Sequence, residues 1–322
     1  MRIQPFIPLF VFVSIKVPLG LGRERSKLKV KANCAECLLH RGIREIELAT
    51  SDPEVKMRSI RGLLRFLSEN FSEGSVPAIL GTERDRLVRE QTGCPDPYKE
   101  KKRLSNDYAL RILPEIRRVL ESEQGGYARF RKACLAAIVA NSMEFDMLEH
   151  DQKLKEFPPL LDRAEEELKV DDIKEIYSKV THSNKILYLL DNAGEVVVDS
   201  LLIQEIKRLG PSVVAVVKER PVLNDVTMED AIVSGITNVS EVISTGLDSV
   251  GLVLSQSSET LKEHLRESDL IISKGMGNYE TITEERIEGK CIAYLLRAKC
   301  SSVAEDLKIR IGSNVAWLYC WD

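Results

Sequence analysis

The chain has 322 residues, with 46 Lys and Arg against 50 Asp and Glu, a formal net charge of −4. Hydrophobic residues at 43% and charged residues at 30% exclude both a disordered chain and a multi-span membrane protein, and the near-neutral balance argues against non-specific nucleic-acid binding, which rewards clustered Lys and Arg. Seven cysteines, an odd number spread thinly, read as a reducing, cytoplasmic setting, and the abundance of Glu, Lys and Arg over Gln as thermophilic.

Residues 1–31 contain seven basic residues and one acid, Glu24, so this stretch carries +6 and the remainder −10. Its apolar run, Phe6 to Val17, is broken by Ser14 and Lys16. A membrane span needs about 20 apolar residues, and no A-x-A-like cleavage site follows. Residues 1–29 are therefore expected to be a non-native leader from a start codon placed too far upstream, with the working protein beginning near Val30.

Residues 30–180 are predicted to form a helical domain. Cys34-Ala-Glu-Cys37 begins a helix, where thiolates can be stabilised by the helix N-terminus. One C-x-x-C supplies only two of the four ligands of a zinc site, so His40, Cys94 or Cys134 would have to complete it. A thioredoxin-like motif belongs after a strand, which this is not. Asp52-Pro53 opens a second helix with an apolar stripe of Val55, Ile60, Leu63, Leu64 and Leu67. Further helices are expected over Ala78 to Glu90, Pro97 to Leu120 and Tyr127 to Met143, punctuated by Gly93, Gly125-Gly126 and Pro158-Pro159.

Residues 181–322 change period. Short apolar runs, Ile186–Leu190, Val213–Val217, Val239–Ser244, Leu270–Ser273, Ile292–Leu296 and Val315–Tyr319, alternate with amphipathic stretches. Strands alternating with helices, without two-residue hairpin turns, predict a Rossmann-like three-layer α/β/α domain with a mainly parallel sheet. Ligands of such sheets bind beyond the carboxyl ends of the strands.

The strand-end loops carry the polar residues. Asp191-Asn192-Ala193-Gly194-Glu195 follows the first run, and Lys218-Glu219-Arg220 through Asn224-Asp225 follows the second. A helix cap accounts for one polar residue in the first loop but not for three. Brought together, Asp191, Asn192 and Asp225 suit a hard divalent ion such as Mg²⁺ or Mn²⁺. Lys274-Gly275-Met276-Gly277-Asn278 lets backbone N–H groups approach an anion, with Lys274 adding charge. Arg297 and Lys299 place two cations at another strand end. There is no G-x-x-x-x-G-K-[ST], no strand-to-helix G-x-G-x-x-G, no G-x-S-x-G and no H-E-x-x-H, and none of the four histidines follows a predicted strand.

Four blocks, Leu-Asp-Asn-Ala-Gly-Glu (190–195), Leu-Asn-Asp-Val-Thr-Met-Glu-Asp-Ala (223–231), Ser-Lys-Gly-Met-Gly-Asn-Tyr-Glu-Thr (273–281) and Arg-Ala-Lys-Cys (297–300), resemble the signatures of the DUF89 family of metal-dependent damage-control phosphatases, in its archaeal and bacterial branch with an N-terminal C-x-x-C. The resemblance spans about Val30 to Leu318. It implies a helical domain beside an α/β/α domain, and one divalent metal ion (Mn, Mg, Co or Ni) held by Asp191, Asn192 and Asp225. Lys299 would bind the substrate phosphate, with Lys274, Gly275 and Asn278 nearby. The family's G-N-x-x-D-F stretch stands here as Ala140-Asn141-Ser142-Met143-Glu144-Phe145, which keeps Asn141 as a substrate-side residue but replaces the Gly and lengthens the acid.

The activity implied is phosphomonoester hydrolysis on small metabolites, sugar phosphates or nucleotide-related damage products. The catalytic residues would be Asp191, Glu195 and Lys299, through water aligned by Glu195 or Asp225, or through an aspartyl-phosphate on Asp191. Two other readings stand beside it: an S-adenosylmethionine-dependent protein carboxyl methyltransferase, and a zinc or redox protein with a second site at Cys34 and Cys37. Cys291, Cys300 and Cys320 are expected to be free thiols. The expected partner is a small phosphorylated metabolite, with neither nucleic acid nor membrane, and the oligomeric state is left open.

Overall fold

The computed structural model describes residues 28–141, 157–285 and 287–321. Most of the expected leader and residues 142–145 of the Asn141 stretch lie outside the described residues. Leu28 is buried, and Lys29 pairs with Glu284 at 2.7 Å, so the last two residues assigned to the leader belong to the folded body.

Three helices come first: α1 (Ala32–Ala49), α2 (Pro53–Asn70) and α3 (Pro77–Thr92). Asp52 caps α2 by accepting from the Glu54 and Val55 N–H groups, with Pro53 at the first helical position. These helices share a small core of Ile46, Leu63 and Val88. Leu64, expected on the same stripe, is 48% exposed because the three-helix contact is narrower than the apolar face.

The next helices are α4 (Lys99–Ser122), α5 (Gly126–Ala140), α6 (Phe157–Glu167) and α7 (Ile173–Thr181). The remaining elements are β2 (Lys185–Leu189), α8 (Glu195–Arg208), β3 (Ser212–Val217), α9 (Met228–Val233), β4 (Glu241–Ser244), α10 (Glu259–Glu267), β5 (Leu270–Lys274), α11 (Gly275–Ile282), β6 (Cys291–Arg297), α12 (Ser301–Asp306) and β7 (Asn314–Cys320). A further strand, β1 (Leu168–Asp171), lies between α6 and α7.

The seven strands form one sheet in the order β1-β7-β6-β5-β2-β3-β4. All pairs are parallel except β6 with β7. Alternation along the strands divides the core. Ile186, Tyr188, Val213, Ala215 and Ile272 pack against α4, α5 and α8, while Leu187, Leu189, Val214, Ile271 and Tyr294 pack against α10, α11 and α12. The mainly parallel three-layer architecture is therefore as the periodicity predicts.

The boundary at 180/181 is not where the packing divides. β1 joins the sheet beside β7, and α4 and α5 share the core of the sheet's first face. Four residues with an exposed alternate face gave β1 little apolar signal. α5 looks like part of a helical bundle in sequence because small residues such as Ala133, Ala136 and Ala137 let it lie close against the sheet layer.

Cys291 and Cys320 form a disulfide, which corrects the expectation of free thiols. The antiparallel register sets them directly opposite each other at the ends of β6 and β7. Among the described residues, no helix is long and apolar enough to cross a membrane.

Candidate active site

From β2 the chain steps to β3 and β4 on one side, then returns to β5 and β6 on the other. The carboxyl ends of β2 and β5 thus flank a topological switch point, where connecting loops diverge and leave a crevice. The loops after β2 and β3 are tied together: Val226 N–H donates to Asp191 O at 2.9 Å and Ala193 N–H to Asn224 O at 2.9 Å. Asn192 and Asp225 face each other across an isolated antiparallel bridge. On the other flank, Gly275 has φ of +74°, and a Cβ there would lie 1.8 Å from Asp191 Oδ2. Only glycine lets the β5 loop pass so close to that carboxylate.

The polar network is dense and buried. Asn141, at the end of α5, donates from Nδ2 to Asp191 Oδ2 at 2.8 Å and to Glu195 Oε2 at 2.6 Å. Asn192 Nδ2 donates to the same Asp191 oxygen at 2.6 Å and to Glu195 at 3.2 Å. Both amides therefore turn their carbonyl oxygens away from the carboxylates. Asn141 Oδ1 and Asp225 Oδ2 are buried without a hydrogen-bond partner. Lys218 lies 3.6 Å from Asp225, too far for a hydrogen bond but close enough for attraction.

Burial raises the Asp191 carboxyl well above the usual carboxylate range, reinforced by the charges of Glu195 and Asp225 and opposed by Lys299 and Lys274. Burial also pushes Asp225 up to about 6, with Lys218 pulling the other way. Two carboxylates crowded together in a desolvated crevice are costly unless a cation joins them. The donors fit one: two carboxylates and two amide oxygens, all hard oxygen ligands, with orphaned oxygens at Asn141 and Asp225. Among the described residues no three His, Cys, Asp or Glu side chains converge to hold a metal, so any ion here must rely on these amides.

Asp191, Asn192, Asp225, Asn141 and Lys299 line one cavity of about 450 Å³. Glu195 does not. Its Oε1 accepts from Lys274 at 2.9 Å and its other oxygen from the two amides, so it orients Asn141 and Asn192 and is not placed to align a water in the cavity. Lys274 also differs from the expectation of a phosphate ligand. It is wholly buried, with its ammonium 2.9 Å from both Glu195 and Asp199 and donating to Ala137 O at 3.0 Å. Asn278 likewise turns inward, donating to Leu190 O and Lys274 O to lock the two loops together. Gly275 contributes close approach, and Met276 Sδ accepts from Lys299 N–H at 3.3 Å.

Some supporting residues escaped the sequence reading. Asp199, which holds Lys274 and accepts from Tyr188 OH at 2.8 Å, sits one helical turn after Glu195 on α8, a spacing that marks a shared face. The cavity is also lined from α1 and α4, including His40 on α1 and Ser105 on α4. His40 reads in the sequence only as a possible partner of the C-x-x-C, because its place on this cavity depends on how α1 is set against the strand ends. Cys37 also lines the cavity, and Cys34 lies 3.2 Å from Ser302 Oγ. Cys134, offered as a zinc ligand, is instead buried in the α5 core.

The family model for the Damage-control phosphatase ARMT1-like domain matches residues 30–315, and the chain belongs to that family. It is 36% identical over 292 residues, 89% of this chain and 95% of the relative, to an uncharacterized protein of Methanocaldococcus jannaschii. It is 35% identical over 291 residues, 90% of this chain and 99% of the relative, to a damage-control phosphatase of Archaeoglobus fulgidus. A crystal structure of a DUF89 family protein from Pyrococcus horikoshii superimposes with a TM-score of 0.81 at 32% identity, covering 89% of this chain and 98% of that one.

Proposed function

We propose that the protein is a divalent-metal-dependent phosphatase that hydrolyses phosphomonoesters of small metabolites. The observation that carries this reading is the cluster of Asp191, Asn192 and Asp225 at the switch point, which lines one cavity together with Lys299. Membership of a damage-control phosphatase family supports it.

Asp191, Asn192 and Asp225 would hold the ion, with Asn141 Oδ1 as a further oxygen donor. When bound, such an ion polarises phosphorus and offsets charge developing on the phosphoryl oxygens. Asn141 and Asn192, steered by Glu195, hold the Asp191 carboxylate in one orientation. Lys274, seated between Glu195 and Asp199, fixes Glu195 in turn. Lys299 stands where a phosphoryl group would be met and neutralises its equatorial oxygens. Of the two acids proposed to align a nucleophilic water, Asp225 lines the cavity and keeps that role. Direct attack by Asp191 is the other route, and trapping a phosphoenzyme separates the two.

The test is phosphate release from a panel of sugar phosphates and nucleotides, comparing Mg²⁺, Mn²⁺, Co²⁺ and Ni²⁺ with chelator. Turnover that appears with an ion and vanishes with chelator supports the reading. No release with any ion, together with calorimetric binding of S-adenosylmethionine, would replace it by the methyltransferase reading.

A further inference from the structure

The loop that carries Asp225 contains a residue in a conformation that its side chain does not favour. Leu223 has φ of +48°, and among the described residues only it and Lys308 combine a side chain with positive φ. In this left-handed region the Cβ crowds the following carbonyl oxygen, so a leucine stays there only where its surroundings hold it. Its side chain is held by packing with Tyr98, Val222 and Val250. Its N–H is held from the helical half of the chain, donating to Asp85 Oδ1 on α3 at 3.0 Å.

Asp85 is wholly buried and divides its two oxygens. Oδ2 accepts from Arg89 Nε at 2.7 Å, one turn further along α3. Oδ1 goes to the loop of Asp225 instead. A hydrogen bond to an ionised acceptor is stronger than a neutral one, and burial keeps water from competing for it. The later part of the loop is tied elsewhere: Asn224 O and Val226 N–H are joined to the β2 loop, and Thr227 N–H donates to Asp230 at 3.0 Å. Asp85 fixes the turn that leads into them. Asp225 N–H donates to Val222 O at 3.1 Å across that turn, so the direction in which Asp225 leaves it follows from the conformation at Leu223. Asp85 itself does not line the cavity.

We propose that Asp85 is a positioning residue for the metal site: through Leu223 it holds the turn that sets Asp225 beside Asp191 and Asn192. This rests on the metal-dependent phosphatase reading and deepens it. Part of the affinity for the ion then comes from α3, through a side chain that is not a ligand.

The test is calorimetric binding of Mn²⁺ to the metal-free protein, read beside the melting temperature. Asp85→Ala removes both the acceptor of Leu223 and the partner of Arg89, whereas Arg89→Gln breaks the ion pair and leaves Oδ1 to Leu223. Both variants should melt earlier. Asp85→Ala should raise the Kd for Mn²⁺ about tenfold or more, the scale on which groups that orient metal ligands act, while Arg89→Gln stays within about threefold. A Kd unchanged in Asp85→Ala, or raised equally in both, would overturn the proposal, because equal losses are what a purely structural role gives. Should Asp85→Ala not fold, Asp85→Asn takes its place. It keeps the volume but offers one oxygen to two donors, so a rise of more than about threefold is expected and no rise would overturn the proposal. Wild-type protein that binds no Mn²⁺ would instead count against the metal-dependent reading. Hydrogen exchange over residues 222–227 of the metal-free protein would then decide the role of Asp85. Exchange about tenfold faster or more in the Asp85 variant than in Arg89→Gln supports it, and equal rates overturn it.

Discussion

Gly275→Ala puts the geometry of the crevice to a sharp test. The new Cβ would stand 1.8 Å from Asp191 Oδ2 and 2.2 Å from its Cγ, where non-bonded carbons are comfortable only near about 3.5 Å. Asp191 cannot absorb this easily, because Asn141 at 2.8 Å and Asn192 at 2.6 Å hold the very oxygen that must retreat. The carboxylate or the β5 loop must move by more than about 1 Å, and misplacement on that scale costs on the order of 100-fold in rate. The backbone adds a separate penalty, since φ at Gly275 is +74° and a side chain there costs about 1 kcal/mol. Gly289→Ala supplies the control: its φ is +70° but nothing lies within 4 Å of the added Cβ. With p-nitrophenyl phosphate and Mn²⁺, Gly275→Ala is expected to lose about 100-fold or more in kcat/KM. Gly289→Ala should melt earlier and turn over normally. A Gly275→Ala enzyme retaining more than half its activity would refute the placement of Asp191 against this loop.

Lys274→Met should destabilise the fold by about 3–5 kcal/mol, because Glu195 and Asp199 would be left buried without their cation; a normal denaturation midpoint combined with a raised KM would return Lys274 to the role of phosphate ligand. Asp248 is pushed up by burial but held down at about 2 by hydrogen bonds from Arg86 at 2.7 Å and Arg89 at 3.0 Å. Its folded value lies below its unfolded one, so its contribution, which solvent screening keeps small, is present above roughly pH 4 and is lost as the pH falls toward 2. Urea midpoints of wild type and Asp248→Asn should therefore converge on acidification, and a gap that stays constant with pH would contradict this. The double change Cys34→Ser/Cys37→Ser should leave metal content and phosphate release within about twofold of wild type. Stoichiometric loss of a bound ion from it would revive the cysteine site.

The strands and their end loops were legible because a parallel sheet buried on both faces writes continuous apolar runs, and its functional loops must follow them. Asp191 and Asn192 could be found that way because they directly follow a run's end, and Asp225 because it lies in the polar loop after the next run. What the runs do not encode is which way a side chain turns. Lys274 and Asn278 read as ligands because they stand in a glycine loop, yet both point inward to hold that loop, as the carboxylates of Glu195 and Asp199 require. The helical lining was hidden for a different reason. Arg41 and Arg44 line the cavity only because of how α1 is set against the sheet's carboxyl end, which a local pattern does not contain. The Cys291–Cys320 disulfide depends similarly on the β6 and β7 register.

Phosphate release by Asp191→Ala, measured beside its melting temperature, tests the proposed site most directly. Removing one of the crowded buried carboxylates should leave the fold intact or slightly stabilised, because it relieves the repulsion from Glu195 and Asp225. Release of phosphate with added divalent ion should fall to the level of chelated wild type while the melting temperature holds. A folded Asp191→Ala protein that still hydrolyses phosphomonoesters in a metal-stimulated manner would place the chemistry elsewhere.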